Sequence, residues 1–190
     1  MIFAIDFDGT IVDTNLMKSA WIAENLGRKV PPWNCNRTDC VPIIGLASYE
    51  KMANDVFDRE GTLGTPPVPG AVPAIRALSR LAELIVVTVR SGERLEFATE
   101  WLQMHRVLDL FKAVRSSKES SKEQVCAEYA AVALIDDDVR HLREAQNTGL
   151  QRILLQHGRK EEKPDETGIL FCNSWEKVVA LLDRGIWDPR

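Results

Sequence analysis

The sequence predicts an α/β fold, a doubly wound parallel sheet with a small helical unit inserted after the first strand. Short apolar runs alternate with helical periodicities, these runs lack polar alternation, and one long stretch near the N-terminus reads as helix only. Runs without alternation suit strands covered on both faces, as in a parallel sheet.

Taken in order, Met1-Ile2-Phe3-Ala4-Ile5 reads as the first strand and is cut off by Asp6. Leu16, Ala20, Ala23 and Leu26 then recur at helical spacing before Gly27. Tyr49, Met52, Ala53, Val56 and Phe57 do so again, with Gly61 as the expected stop. Thr62 to Gly70 has the Pro/Gly composition of a linker. Residues 14–68 are therefore expected to be the helical insert, and residues 1–13 and 69–190 the α/β core.

A helix over Ala71 to Leu81 returns the chain to the sheet, and Leu84 to Thr88 is the second clear strand. Ser91 can cap a helix carrying Leu95, Ala98 and Leu102. Phe111 to Val114 is a fainter strand, and Lys122 to Tyr129 looks helical. Val132 to Ile135 and Ile153 to Leu155 complete the apolar runs, separated by a helix over Asp138 to Thr148 with Gly149 as its stop. After a charged loop, His157 to Glu166, come a short strand at Gly168 to Phe171 and a last helix from Ser174 to Gly185. Strand followed by helix, repeated, is the pattern of a Rossmann-like sheet.

With 24 Lys+Arg against 28 Asp+Glu, the 190 residues carry a net charge of −4, and 45% are hydrophobic. A chain of this length buries roughly 70% of its unfolded surface, so its core needs no disulfide or structural metal. The acidic balance argues against a nucleic-acid-binding surface. Met1 to Ile5 is too short for a signal-peptide core. The charge-free run over 61–75 contains four prolines and three glycines, so no membrane span is expected. Cys35, Cys40, Cys126 and Cys172 lack C-x-x-C spacing, and His105, His141 and His157 are scattered. Reduced thiols in a cytoplasmic protein follow as the expectation.

The chemistry lies at the strand ends. Asp6 and Asp8 follow the first strand, Thr88 ends the second, and Val132 to Ile135 runs into Asp136-Asp137-Asp138. Ligands of parallel sheets bind beyond the carboxyl ends of the strands, so these groups belong at one edge. Converging carboxylates resist ionisation unless a cation is present. One lysine is too little, and a hard divalent ion such as Mg²⁺ suits oxygen ligands. Arg90 could bind a substrate anion or be a surface arginine, and Trp21, Trp33, Tyr49 and Arg37 of the insert are candidates for contacting a ligand.

Asp6-Phe7-Asp8-Gly9-Thr10, Thr88, Lys122 and Asp136-Asp137, in that order, resemble the four motifs of the haloacid dehalogenase superfamily of phosphohydrolases. The insert matches the position of that superfamily's type-one helical cap. The resemblance implies Asp6 as nucleophile and Asp8 as the acid and then the base. It implies Thr88, the Val89 backbone N–H and Lys122 as phosphate ligands. Mg²⁺ would sit on Asp6, the Asp8 carbonyl and Asp136, with Asp137 a direct or water-mediated partner. The second aspartate implies phosphoryl transfer rather than dehalogenation, with a small phosphomonoester as substrate.

Two assignments stay open at this point. Lys118 competes with Lys122 as the phosphate lysine, and the triple aspartate leaves register free, since Asp138 could instead cap the next helix. Lys122, 14 residues before Asp136, and the Ile135-Asp136-Asp137 ending resemble 5′(3′)-deoxyribonucleotidases, which implies nucleoside monophosphates within the substrate class. A phosphosugar phosphatase or mutase, or a non-catalytic phosphate-binding module, are the alternatives. Oligomeric state is not legible.

Overall fold

The computed structural model describes residues 1–145, 149–159 and 167–185. Six parallel strands form one sheet: β1 (Ile2–Ile5), β2 (Glu83–Thr88), β3 (Phe111–Ser116), β4 (Ala133–Asp136), β5 (Gln151–Leu155) and β6 (Ile169–Cys172). Their spatial order is β3-β2-β1-β4-β5-β6. The chain fills one side of β1 with β2 and β3, then crosses to the other side with β4. The β1/β4 boundary is thus the point where strand order reverses, and it opens a crevice at the carboxyl ends.

Both faces of the sheet are covered. Phe3, Ile5, Leu84, Val86, Ala133 and Ile135 pack against α5 (Ala71–Leu78), α6 (Glu93–Met104) and α9 (Trp175–Asp183). The alternate residues Ala4, Ile85, Val87 and Leu134 pack against α7 (Lys122–Glu128) and α8 (Val139–Glu144). Burial on both faces is why the runs carry no polar alternation. Two indoles hold the sheet to its surroundings. Trp101 donates to the Thr65 carbonyl at 2.8 Å, and Trp175 donates to the Thr10 carbonyl at 3.1 Å.

Between β1 and α5 lie α1 (Thr14–Leu26), α2 (Arg37–Ile44), α3 (Leu46–Phe57) and α4 (Arg59–Gly64). They enclose their own apolar cluster, which includes Ile22, Val30, Cys40, Tyr49, Met52 and Val56. The two connections to the core are bonded to each other. Asp13 N–H donates to Pro66 and Val68 N–H to Ile11, each at 2.9 Å. No helix among the described residues is long and apolar enough to cross a membrane.

Three local expectations need correction. Gly61 does not end the third helix. Asp58 does, and its carboxylate accepts from Gly61 N–H at 2.6 Å to open α4. Ser91 does not cap α6, whose N-cap is Gly92 with φ 55°. The helix after the linker stops at Leu78, with Ser79 to Leu81 in turns. Asp138 does cap α8, and the predicted end of that helix at Thr148 lies outside the described residues, as does the charged loop over 160–166.

Gly61 is held by space. A Cβ there would meet the Asp55 carbonyl at 2.4 Å and the Val56 carbonyl at 2.8 Å. Alanine normally gains about 1 kcal/mol over glycine inside a helix. Gly61→Ala is expected to reverse that sign and lower stability by at least about 1 kcal/mol. Urea denaturation measures it, and a stabilised variant would refute the crowding argument.

Candidate active site

Strand parity places the first charges. Asp6 follows Ile5, and Asp136 closes β4 rather than lying just beyond it; both share the parity of Ala4 and Leu134. That parity faces α7, because side chains two apart along a strand share a face. The start of α7 is set by a capping box in which the Ser121 hydroxyl accepts from Gln124 N–H and the Gln124 side chain accepts from Ser121 N–H. Lys122, its first residue, is thereby delivered between the two carboxylates. Its Nζ donates to Asp6 Oδ1 at 2.5 Å and to Asp136 Oδ2 at 2.6 Å. All three side chains are at least 95% buried. Lys118, the competing lysine, is exposed and makes no contact with this group.

Asp137 joins from the next position. Oxygens of Asp6, Asp136 and Asp137 lie within 4.8 Å of one another. Asn15, at the start of α1, donates to Asp137 Oδ2 at 2.7 Å. Gly9 (φ 79°) makes room, since a Cβ there would lie 2.2 Å from that oxygen. Asp136 is the more saturated of the pair. It accepts from Lys122 and the Asp138 N–H, and His141 Nδ1 lies 3.1 Å from its Oδ2.

One ammonium cannot neutralise three carboxylates. Burial together with the neighbouring carboxylates pushes Asp6 up to about 7 despite Lys122, and holds Asp137 well above the usual carboxylate range. Burial also opposes ionisation of Asp136, but Lys122 and His141 outweigh it and keep its carboxyl low. The same carboxylate raises His141 against the effect of burial. A compact, all-oxygen, under-compensated cluster is a donor set that fits a hard divalent cation.

Asp8 has a different partner. Arg90, two residues past Thr88, donates to both its oxygens at 2.8 and 2.7 Å. Burial disfavours the Asp8 carboxylate, yet this guanidinium holds its carboxyl below the usual range. Arg90 is 4% exposed, so the surface reading of this residue fails. It also donates to Thr62 Oγ1 of α4 at 2.7 Å, and it stacks on Phe7 and on Phe57 of α3.

The remaining residues that the sequence pointed to divide. Thr88 is fully buried at the end of β2, and its Oγ1 accepts from Arg90 N–H at 3.2 Å. Val89 turns its side chain outward, 49% exposed. Tyr49 belongs to the core of the insert, and Trp21 is tied to Asp55 through its indole N–H. Arg37 is exposed beside Glu50. Trp33 borders a cavity of about 460 Å³ together with Gly9, Asn15, Asp39, Asp137 and Gln156. Sequence reasoning missed Asn15, Thr62 and His141. Only His141 left a trace, lying one helical turn past the aspartates.

The charge arithmetic has a measurable consequence. A carboxyl raised to about 7 keeps its proton in the folded state at pH values where the unfolded chain has lost it. Its penalty is absent below the unfolded value of 3.8 and complete above about 7. The raised His141 changes in the same sense, whereas lowered Asp8 and Asp136 lose their contribution only below 3.8. The urea midpoint in EDTA should therefore be higher at about pH 5.5 than at about pH 7.5, and Mg²⁺ should remove most of the difference. A midpoint that rises with pH in EDTA would contradict the cluster's electrostatics.

No protein-family model and no curated protein sequence matches the chain. Solved structures do resemble it. A haloacid dehalogenase-like family hydrolase from Streptococcus pneumoniae superposes with a TM-score of 0.68 at 16% identity, over 95% of this chain and 97% of that one. A HAD-type hydrolase from Bacillus subtilis, bound to magnesium, gives 0.64 at 15% identity over 96% and 98%. A HAD family hydrolase from Deinococcus radiodurans, with bound phosphate and sodium, gives 0.65 at 13% identity over 97% and 96%. The chain thus has the fold of the haloacid dehalogenase-like hydrolases.

Proposed function

We propose that this protein is a Mg²⁺-dependent phosphatase that hydrolyses a small phosphomonoester through an aspartyl-phosphate on Asp6. The observation that carries the reading is the convergence of Asp6, Lys122, Asp136 and Asp137 at the strand-order reversal, with Asp8 two residues beyond. Each group then has a task. Asp6 attacks phosphorus and the bond to the leaving oxygen breaks. Asp8 protonates that oxygen, then accepts a proton from the water that releases phosphate and restores Asp6. Lys122 offsets charge on the nucleophile and the phosphoryl oxygens, while the Thr88 hydroxyl and Val89 N–H bind those oxygens.

Asp6 and Asp137 hold the metal, with the Asp8 carbonyl, while Asp136 chiefly positions Lys122. This shifts weight from Asp136 to Asp137 within the ligand set that the sequence suggested, because Asp136 is already saturated by donors. When bound, Mg²⁺ supplies the positive charge that the carboxylates and phosphoryl oxygens lack. Residues 14–68 serve as a cap. Thr62 and Asn54 of the insert accept from Arg90 and Arg94 of the core, both of which border the cavity beside Asp8. The nucleoside monophosphates that the Lys122 spacing and the paired aspartates suggest gain no support from the cavity beside Asp8, whose aromatic residue, Phe57, is flanked by Arg90, Lys18 and Arg94.

Asp6→Asn keeps the shape and removes the nucleophile. It is expected to lower kcat on any accepted phosphomonoester by at least about a thousandfold, roughly 4 kcal/mol of barrier, with the thermal midpoint unchanged or raised. Retention of more than about a tenth of wild-type kcat, a deficit of only ~1.4 kcal/mol, would eliminate the covalent route.

A further inference from the structure

We propose that the substrate carries a second anion on its leaving group, bound by Arg94 and Lys118 in the cavity beside Asp8. The proposal deepens the phosphatase reading and rests on it for the position of the leaving oxygen. Two cavities flank the aspartates. The larger is bordered by Gly9 and Asp137, on the metal side. The smaller, about 390 Å³, is bordered by Asp8, Val89, Arg90, Arg94 and Lys118, on the β2/β3 side. A proton from Asp8 reaches the leaving oxygen only if that oxygen lies beside it, so the leaving group occupies the smaller cavity.

The charges in that cavity do not cancel. Arg90 and Asp8 neutralise each other, which leaves Arg94 and Lys118 against Glu93 alone. Arg94 is bonded to a neutral acceptor, the Asn54 side chain, at 2.9 Å. Lys118 has no ion-pair partner among the described residues. Arg90 contributes further donors, because a guanidinium carries five N–H groups and three are used here. Phe57, the aromatic residue at this cavity, is ringed by cations. Arg90, Lys18 and Arg94 stand 4.9, 5.1 and 5.7 Å from its ring centre. A base cannot stack on faces already occupied in this way. A carboxylate or a second phosphate matches the cavity, and a nucleobase does not.

The test compares four phosphomonoesters with Mg²⁺ present: phosphorylated hydroxypropionic acid, its methyl ester, propanediol bisphosphate and thymidine monophosphate. The acid or the bisphosphate is expected to exceed the ester in kcat/KM by at least about tenfold, and whichever leads identifies the anion. Arg94→Gln combined with Lys118→Gln should bring that ratio below about three. A second readout is independent of turnover: calorimetric Kd values for acid and ester on the Asp6→Asn protein should differ by about tenfold in the same direction. A ratio near one in the wild-type protein, a ratio that survives in the double variant, or a preference for thymidine monophosphate overturns the proposal. If none of the four is hydrolysed while the binding preference holds, the anion site stands and the phosphatase reading falls.

Discussion

Lys122 is buried between Asp6 and Asp136, and the carboxyl edge of the sheet depends on that one ammonium. Buried ions are tolerated only when paired in good geometry, and removing one partner strands the others. The pairing requires β1 beside β4, which the reversal of strand order provides, and α7 starting at a defined residue, which its capping box provides. The burial of the sheet on both faces fixes the parity that points both aspartates toward that helix. Fold and charge are thus solved together. The compensation is incomplete because Asp137 shares the same space, and that residual deficit is what the proposed cation would neutralise.

The Arg90–Asp8 pair extends the same logic toward the insert. A guanidinium placed by the end of β2 satisfies a carboxylate placed by the end of β1, and a threonine hydroxyl from α4 takes a third donor. Arg90 therefore links Thr62 of the insert to Asp8, the residue proposed as acid and base. Held in this way, Asp8 is ready to accept a proton. Donating one requires Arg90 to loosen its grip, which a phosphorylated ligand can bring about by offering competing oxygens.

The insert has its own apolar cluster and enters and leaves through paired backbone, while Leu63, Val68 and the Trp101–Thr65 hydrogen bond fasten its C-terminal end to the main core. Arg90–Thr62, Arg94–Asn54 and Arg140–Thr38 are polar contacts across that boundary, easier to exchange than packed side chains.

Much of this was legible in the chain. Uninterrupted apolar runs, helical periodicities and the strand-free stretch from Thr14 determined all six strands and the run of helices between β1 and α5, because both depend on local pattern. Asp6, Asp8, Thr88 and the aspartate run were identifiable because parallel strands present their ends at one edge. Tertiary structure alone decided the partners. The sequence favours Lys122 over Lys118 by its place at the start of a predicted helix, but only the folded chain shows Lys122 as a buried counter-ion and Lys118 as an exposed lysine. Arg90, Asn15, Thr62 and His141 acquire their roles from contacts across as many as 122 positions, as between Asn15 and Asp137. Gly61 read as a stop because its real constraint, crowding by the Asp55 and Val56 carbonyls six and five positions earlier, comes from the turn at Asp58 between two successive helices, which residue type alone does not reveal. Local pattern sets which element forms, whereas pairing of buried charge is a long-range condition that no window of sequence contains.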